Sequence, residues 1–191
     1  MSDSWRLFIA LPLSEAVRKG LSAYQRALAG AGVRARWVKE SQFHITLKFL
    51  GDVRSADVPA LVESVLEKVR SLPAFEVTLR GVGAFPDGRT PQVLWAALAG
   101  ASEQLFRLAG HIEEGCALLG FPRSERPFHP HVTLGRLRPG DAPPGWKRTA
   151  DNLASTPLGP DRVSRVVLYR SRLAPSGPTY TELAAALLAP E

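Results

Sequence analysis

"HITLKFLG" at residues 44–51 and "HVTLGRLR" at 131–138 open on the same phrase, histidine–aliphatic–threonine–leucine, 87 residues apart. The chain has four histidines, and two of them begin this phrase. Along a strand, residues i and i+2 share a face. His44 with Thr46, and His131 with Thr133, therefore each set an imidazole beside a hydroxyl, while Ile45, Leu47, Val132 and Leu134 turn toward a core. Around the first copy, Phe43, Ile45, Leu47 and Phe49 alternate with His44, Thr46, Lys48 and Leu50, which predicts a strand. One His-x-Thr is too short to carry meaning, but a second copy that also shares the leucine points to a site.

Working outward, "WRLFIALPL" (5–13) reads as a buried strand. "SEAVRKGLSAYQRALAG" (14–30) reads as an amphipathic helix with Ser14 as N-cap and its close at Gly30. The first motif strand lies within 35–53. A second helix is expected over 55–71, with Val58, Leu61, Val62, Val65, Leu66 and Val69 as one apolar stripe. Strands follow at 74–81 and 92–98, joined by the turn "FPDGRTP", then a third helix at 101–119 that carries Gly110 and Gly115. After the second motif strand, 139–156 is mostly loop with room for a short helix after Pro144. Strands at 161–174 and 179–188, with "PSGP" between them, end the sequence. "GRTPQVLWAALAG" (88–100) matches "GPTYTELAAALLA" (177–189) at six of thirteen positions, an offset close to that of the two histidines. Together these repeats predict a duplicated lobe and one bilobal domain over 1–191.

At 191 residues, with 45% hydrophobic and 22% charged residues and Gly and Pro dispersed, the composition is that of a soluble globular protein. "LFIALPL" (7–13) is too short to span a bilayer, is broken by Pro12 and lacks a basic leader, so it is a strand rather than a signal. Cys116 is the only cysteine, which excludes an intrachain disulfide and fits a buried thiol in a reducing cytoplasm. The net charge of +6, carried mainly by arginine, suits an anionic partner such as RNA, and equally suits a high-GC genome. Charge alone decides nothing.

Two imidazoles are what an in-line displacement at phosphorus needs without a metal. One takes a proton from the attacking water or hydroxyl, the other gives one to the departing oxygen, and the two events occur at opposite apices of the phosphorus. Thr46 and Thr133 would hold the equatorial oxygens. A strained 2′,3′-cyclic phosphate suits such a site. The sequence has no HExxH and no paired cysteines, and "HPH" at 129–131 lacks a third ligand, so neither metal nor cofactor is expected. His129 reads as a rim residue and His111 as an incidental one.

In this context the chain resembles the two-histidine phosphoesterase superfamily, and within it the RNA 2′,3′-cyclic phosphodiesterases, also described as 2′-5′ RNA ligases. The resemblance is carried by "RLFIALPL", "RWVKESQFHITLKFLGDV", "PHVTLGR" and "LYRSRLAPSGPTYTEL". It implies an α+β fold of two lobes related by a pseudo-twofold, with two antiparallel sheets lining a central cleft and helices outside. It also implies hydrolysis of an RNA 2′,3′-cyclic phosphate to a 2′-phosphomonoester, with His44 as proton donor and His131 as proton acceptor. The expected protein is a cytoplasmic monomer with no membrane association.

Around this centre, Arg136 and Arg138 are candidates to pair with phosphate, although strict alternation puts Arg136 on the face opposite His131, so a twist or bulge would be needed. Trp37 is a candidate to stack on a base; Phe43 reads as a core aromatic. Two other readings stay open, 2′-5′ RNA ligation and a non-catalytic module that binds RNA ends or nucleotides.

Overall fold

The structure is a computed structural model that describes residues 3–87, 90–99, 103–175 and 177–190. In chain order the strands are β1 (Ser4–Pro12), β2 (Arg36–Trp37), β3 (His44–Arg54), β4 (Phe75–Phe85), β5 (Val93–Leu98), β6 (His131–Arg136), β7 (Leu158–Val163), β8 (Arg165–Arg172) and β9 (Thr179–Leu187). The α-helices are α1 (Glu15–Gly30), α2 (Val58–Leu61), α3 (Glu103–Leu118) and α4 (Trp146–Leu153). One sheet has the order β3-β1-β8-β9 and the other β2-β6-β5-β4-β7, and every pairing of named strands is antiparallel. This is the α+β, two-sheet architecture expected, with one histidine strand in each sheet.

Leu7, Ile9 and Leu11 of β1 are fully buried, as are Val166 and Leu168 of β8, so the chain's most apolar strands form the middle of the first sheet. The Ser14 hydroxyl caps α1 by accepting from the Val17 N–H at 3.3 Å. The same helix, which follows β1 of the first sheet, is fastened to the second. The Ser14 N–H donates to the carboxylate of Asp161 on β7, and the Gln25 side-chain amide donates to the carbonyls of Val38 and Leu134, both at 2.8 Å. Cys116 is buried, and burial pushes its thiol up to about 11, which makes it an inert core residue.

Four local expectations are corrected. The segment 55–71 is helical throughout but not one α-helix: a 3₁₀ turn at Ser55–Asp57 leads into α2, then a π turn at Val62–Leu66 and a 3₁₀ turn at Glu67–Ser71. Pro59 and four β-branched valines weaken regular helix there, while Leu61, Val65, Leu66 and Val69 stay buried, so packing rather than propensity holds the segment. The strand expected over 161–174 is two strands. The chain leaves one sheet at Val163 and enters the other at Arg165, with only Ser164 between.

The third correction concerns the matched segments 88–100 and 177–189. By place in the sheets, β5 lies beside its histidine strand as β1 does, whereas β9 is separated from β3 by two other strands, so strand order does not support that alignment. Gly88, Arg89 and Gly100 of this segment, Ala101 and Ser102 of the expected third helix, and Ser176 of "PSGP" lie outside the described residues.

The fourth correction bears on the site. Both histidine strands carry a bulge one residue after the threonine. In β3, Thr46 pairs with Ala10 and Lys48 with Ile9, leaving Leu47 without a partner. In β6, Thr133 pairs with Trp95 and Gly135 with Leu94, leaving Leu134 without one. An extra residue reverses the alternation beyond it. Phe49, expected in the core, is 65% exposed, and Lys48, expected beside the histidine, is 4% exposed. The carbonyl that Leu134 withdraws from the ladder accepts from the Val38 N–H at 2.9 Å as well as from Gln25.

Among the described residues, no helix is long and apolar enough to cross a membrane.

Candidate active site

Both motifs line a single cleft of about 640 Å³ between the sheets. His44 and Thr46 reach it from β3, His131 and Thr133 from β6. The imidazoles are pinned in the same way. His44 Nδ1 donates to the carbonyl of Gln42, and His131 Nδ1 to the carbonyl of His129, each at 2.7 Å and each two residues back along the chain. A carbonyl can only accept, so each Nδ1 carries a proton and each Nε2 is the nitrogen left for chemistry.

The rings sit among aromatics. His44 lies 4.9 Å from Phe8 and 5.4 Å from Tyr180 between ring centres, and His131 lies 5.3 Å from Phe85 and 6.0 Å from Trp95. Gly83 makes room for this second wall, since a Cβ there would fall 2.2 Å from the Trp95 ring. Burial is the main reason that both imidazoles are pushed below the ordinary histidine value. The Gln42 and His129 carbonyls act the other way, while charge on His131 further opposes protonation of His44, and charge on His129 that of His131. The two motif rings are thus close enough to feel each other, and both are neutral near pH 7.

The bulge in β6 carries Arg136 to the cleft face, where it lines the cavity with His131 and Thr133. Trp37 also lines it, packed over Gly135, where a Cβ would meet the indole at 2.9 Å. Arg138 is not brought in. The strand ends at Arg136, and the Arg138 N–H donates to the Asp141 carboxylate at 2.8 Å in the turn that leads away. Phe43 is a core residue. His129 is exposed at the rim and packs 4.9 Å from Trp95, while its carbonyl orients His131. His111 is exposed on α3, its ring bonded to the carbonyl of Arg107.

Sequence reasoning missed Phe8, Phe49 and Phe85 as cleft residues. Phe49 was hidden by the bulge, and Phe85 by a β4 that runs four residues past its expected end at 81. Phe8 does stand at i+2 from Arg6 on a strand that reads as uniformly buried, so only the pairing with β3 shows which face it takes. Among the described residues, no three His, Cys, Asp or Glu side chains converge as a metal site would require. The arrangement offers two neutral Nε2 atoms, two hydroxyls and a guanidinium around one space. Chemically that is a proton acceptor, a second ring able to carry a proton once an anion binds, and donors for anionic oxygens.

A family model described as LigT like phosphoesterase matches the chain twice, over residues 11–95 and 98–180. An RNA 2′,3′-cyclic phosphodiesterase of Methanothermobacter thermautotrophicus is 33% identical over 181 residues, 93% of this chain and 96% of that protein. A protein of the same name from Thermus thermophilus is 35% identical over 186 residues, 93% of this chain and 87% of its own. Among solved structures, E. coli LigT complexed with 3′-AMP superposes with a TM-score of 0.77 at 28% identity, covering 97% of this chain and 99% of that one.

Proposed function

The chain belongs to the family of LigT-like phosphoesterases, and from that premise we propose that it hydrolyses RNA 2′,3′-cyclic phosphate ends to 2′-phosphomonoesters without a metal. The observation that carries the reading is the matched tethering of His44 and His131, which leaves both Nε2 atoms available to one cleft. Water attacks phosphorus opposite the 3′ oxygen. His131 Nε2 takes the proton from the water, the P–O3′ bond breaks, and His44 Nε2 gives a proton to O3′, leaving a free 3′ hydroxyl and a phosphate on O2′. The Thr46 and Thr133 hydroxyls and the Arg136 guanidinium donate to the non-bridging oxygens, where charge grows in the transition state.

The low basicity of both rings suits this division. A neutral His131 is ready as the acceptor, and the negative charge of the bound phosphate restores the proton on His44 that burial alone disfavours. The donor and acceptor labels rest on the family resemblance. A 5′ hydroxyl in place of water would join two RNA ends through a 2′-5′ linkage by the same displacement.

The test is turnover of an oligonucleotide ending in a 2′,3′-cyclic phosphate, in EDTA, with identification of the monophosphate formed. His44→Ala and His131→Ala should each lower kcat by about 10²- to 10⁴-fold with circular dichroism unchanged. A folded variant that keeps wild-type turnover defeats the assignment.

A further inference from the structure

Besides Arg136, the cleft lining contains Arg6, Arg36 and Lys39, and it contains no aspartate or glutamate. All four cations are exposed, and none has a carboxylate within 4.0 Å among the described residues. Arg34, two residues before Arg36, does have one, its partner being Asp141 at 3.4 Å. Arg36 is also the register partner of Arg136 across β2 and β6, so two arginines stand opposite each other on neighbouring strands. Like charges placed opposite each other cost stability unless an anion lies between them. Arg6 comes from the other sheet, and although its register partner is Asp52, the two form no ion pair.

One cyclic phosphodiester carries a single negative charge. Two imidazoles, two hydroxyls and Arg136 already answer it, so three further cations on an acid-free surface are an excess that a mononucleotide does not use. We propose that Arg6, Arg36 and Lys39 hold the internucleotide phosphates of an RNA strand laid along the cleft, which makes an oligonucleotide end, rather than a cyclic mononucleotide, the preferred substrate. This rests on the phosphodiesterase reading above. The contacts act on binding and leave the chemical step alone, because none of the three side chains belongs to the tethered pair. A Cβ at Gly177 would stand 3.4 Å from the Arg36 Nη2, so this glycine leaves room beside the Arg36 guanidinium at the cleft wall.

The experiment compares wild type with Arg6→Gln/Arg36→Gln/Lys39→Gln, separately and combined, on a cyclic-ended oligonucleotide and on 2′,3′-cyclic AMP over a range of salt. Binding of a 3′-phosphate-ended oligonucleotide and of 3′-AMP is measured in parallel. Each single-strand phosphate contact contributes about −0.7 to the slope of log affinity against log salt. Three contacts should therefore weaken oligonucleotide binding about twentyfold more than mononucleotide binding for a fourfold rise in salt. The triple variant should lose that extra dependence and raise KM for the oligonucleotide only, with mononucleotide turnover unchanged. Equal salt slopes for the two ligands in wild type, or equal losses on both in the triple variant, would overturn the proposal. If wild type turned over neither substrate, the phosphodiesterase reading would fall, while the binding slopes would still decide the role of the three cations.

Discussion

Lys48 and Glu113 offer a sharp quantitative test, because the two ends of this ion pair are buried so unequally. Lys48 is the residue that the β3 bulge turns inward; its side chain is 3% exposed, and its ammonium donates to Glu113 Oε1 and to the Pro122 carbonyl, both at 2.7 Å. The Glu113 side chain is 22% exposed and also accepts from the Ser124 N–H at 2.7 Å and hydroxyl at 3.1 Å. Burial by itself would raise the Glu113 carboxyl; Lys48 and Ser124 outweigh it and hold it below the usual carboxylate range. Lys48→Met thus leaves a half-solvated carboxylate with two bonds intact, at a cost of about 1 kcal/mol.

Glu113→Ala leaves an ammonium in the core with one carbonyl, at a cost of about 3–5 kcal/mol. In urea, with a slope near 3 kcal/mol per M, the midpoint should fall by about 1 M or more for Glu113→Ala and by about 0.3 M for Lys48→Met. Equal shifts, or a larger one for Lys48→Met, would refute the reading that the bulge commits a charged amine to the interior.

Two further outcomes concern the chemistry. Since burial holds both imidazoles of the free protein below 6.5, both limbs of the kcat/KM profile should lie below about pH 6.5, and those of kcat should move upward because a bound phosphate favours the protonated rings; a basic limb of kcat/KM above pH 7 would contradict this. Arg136→Gln should lower kcat/KM by about 10- to 100-fold, the worth of a charge-assisted bond, and do so equally on oligonucleotide and mononucleotide, in contrast to Arg36→Gln; a loss confined to the longer substrate would move Arg136 out of the reacting centre.

The strand positions of His44, Thr46, His131 and Thr133 were legible because they precede any irregularity: up to each threonine, period two holds and the apolar partners Ile45, Leu47, Val132 and Leu134 are buried. One residue later it fails. A bulge leaves no mark in composition, so Lys48 and Phe49 read as inverted, and Arg136 read as facing away. The single run expected over 161–174 hid the passage between sheets, because Val163 of β7 and Val166, Val167 and Leu168 of β8 read as one apolar run and nothing at Ser164 looks like a turn. Ser14, by contrast, announced α1 by chemistry that needs no tertiary partner, and the cap is found where the sequence puts it. The pinning carbonyls of Gln42 and His129 could not have been foreseen, since any residue supplies a carbonyl; what selects these two is the backbone path just before each strand.

The passage at Ser164 has a mechanical consequence. A peptide that ends one sheet at Val163 and begins the other at Arg165 has no slack, and α1, which follows β1 of the first sheet, is fastened to the second through Asp161 and Leu134. Any widening of the cleft would have to strain both of these crossings, which ties the separation of the two imidazoles to chain connectivity.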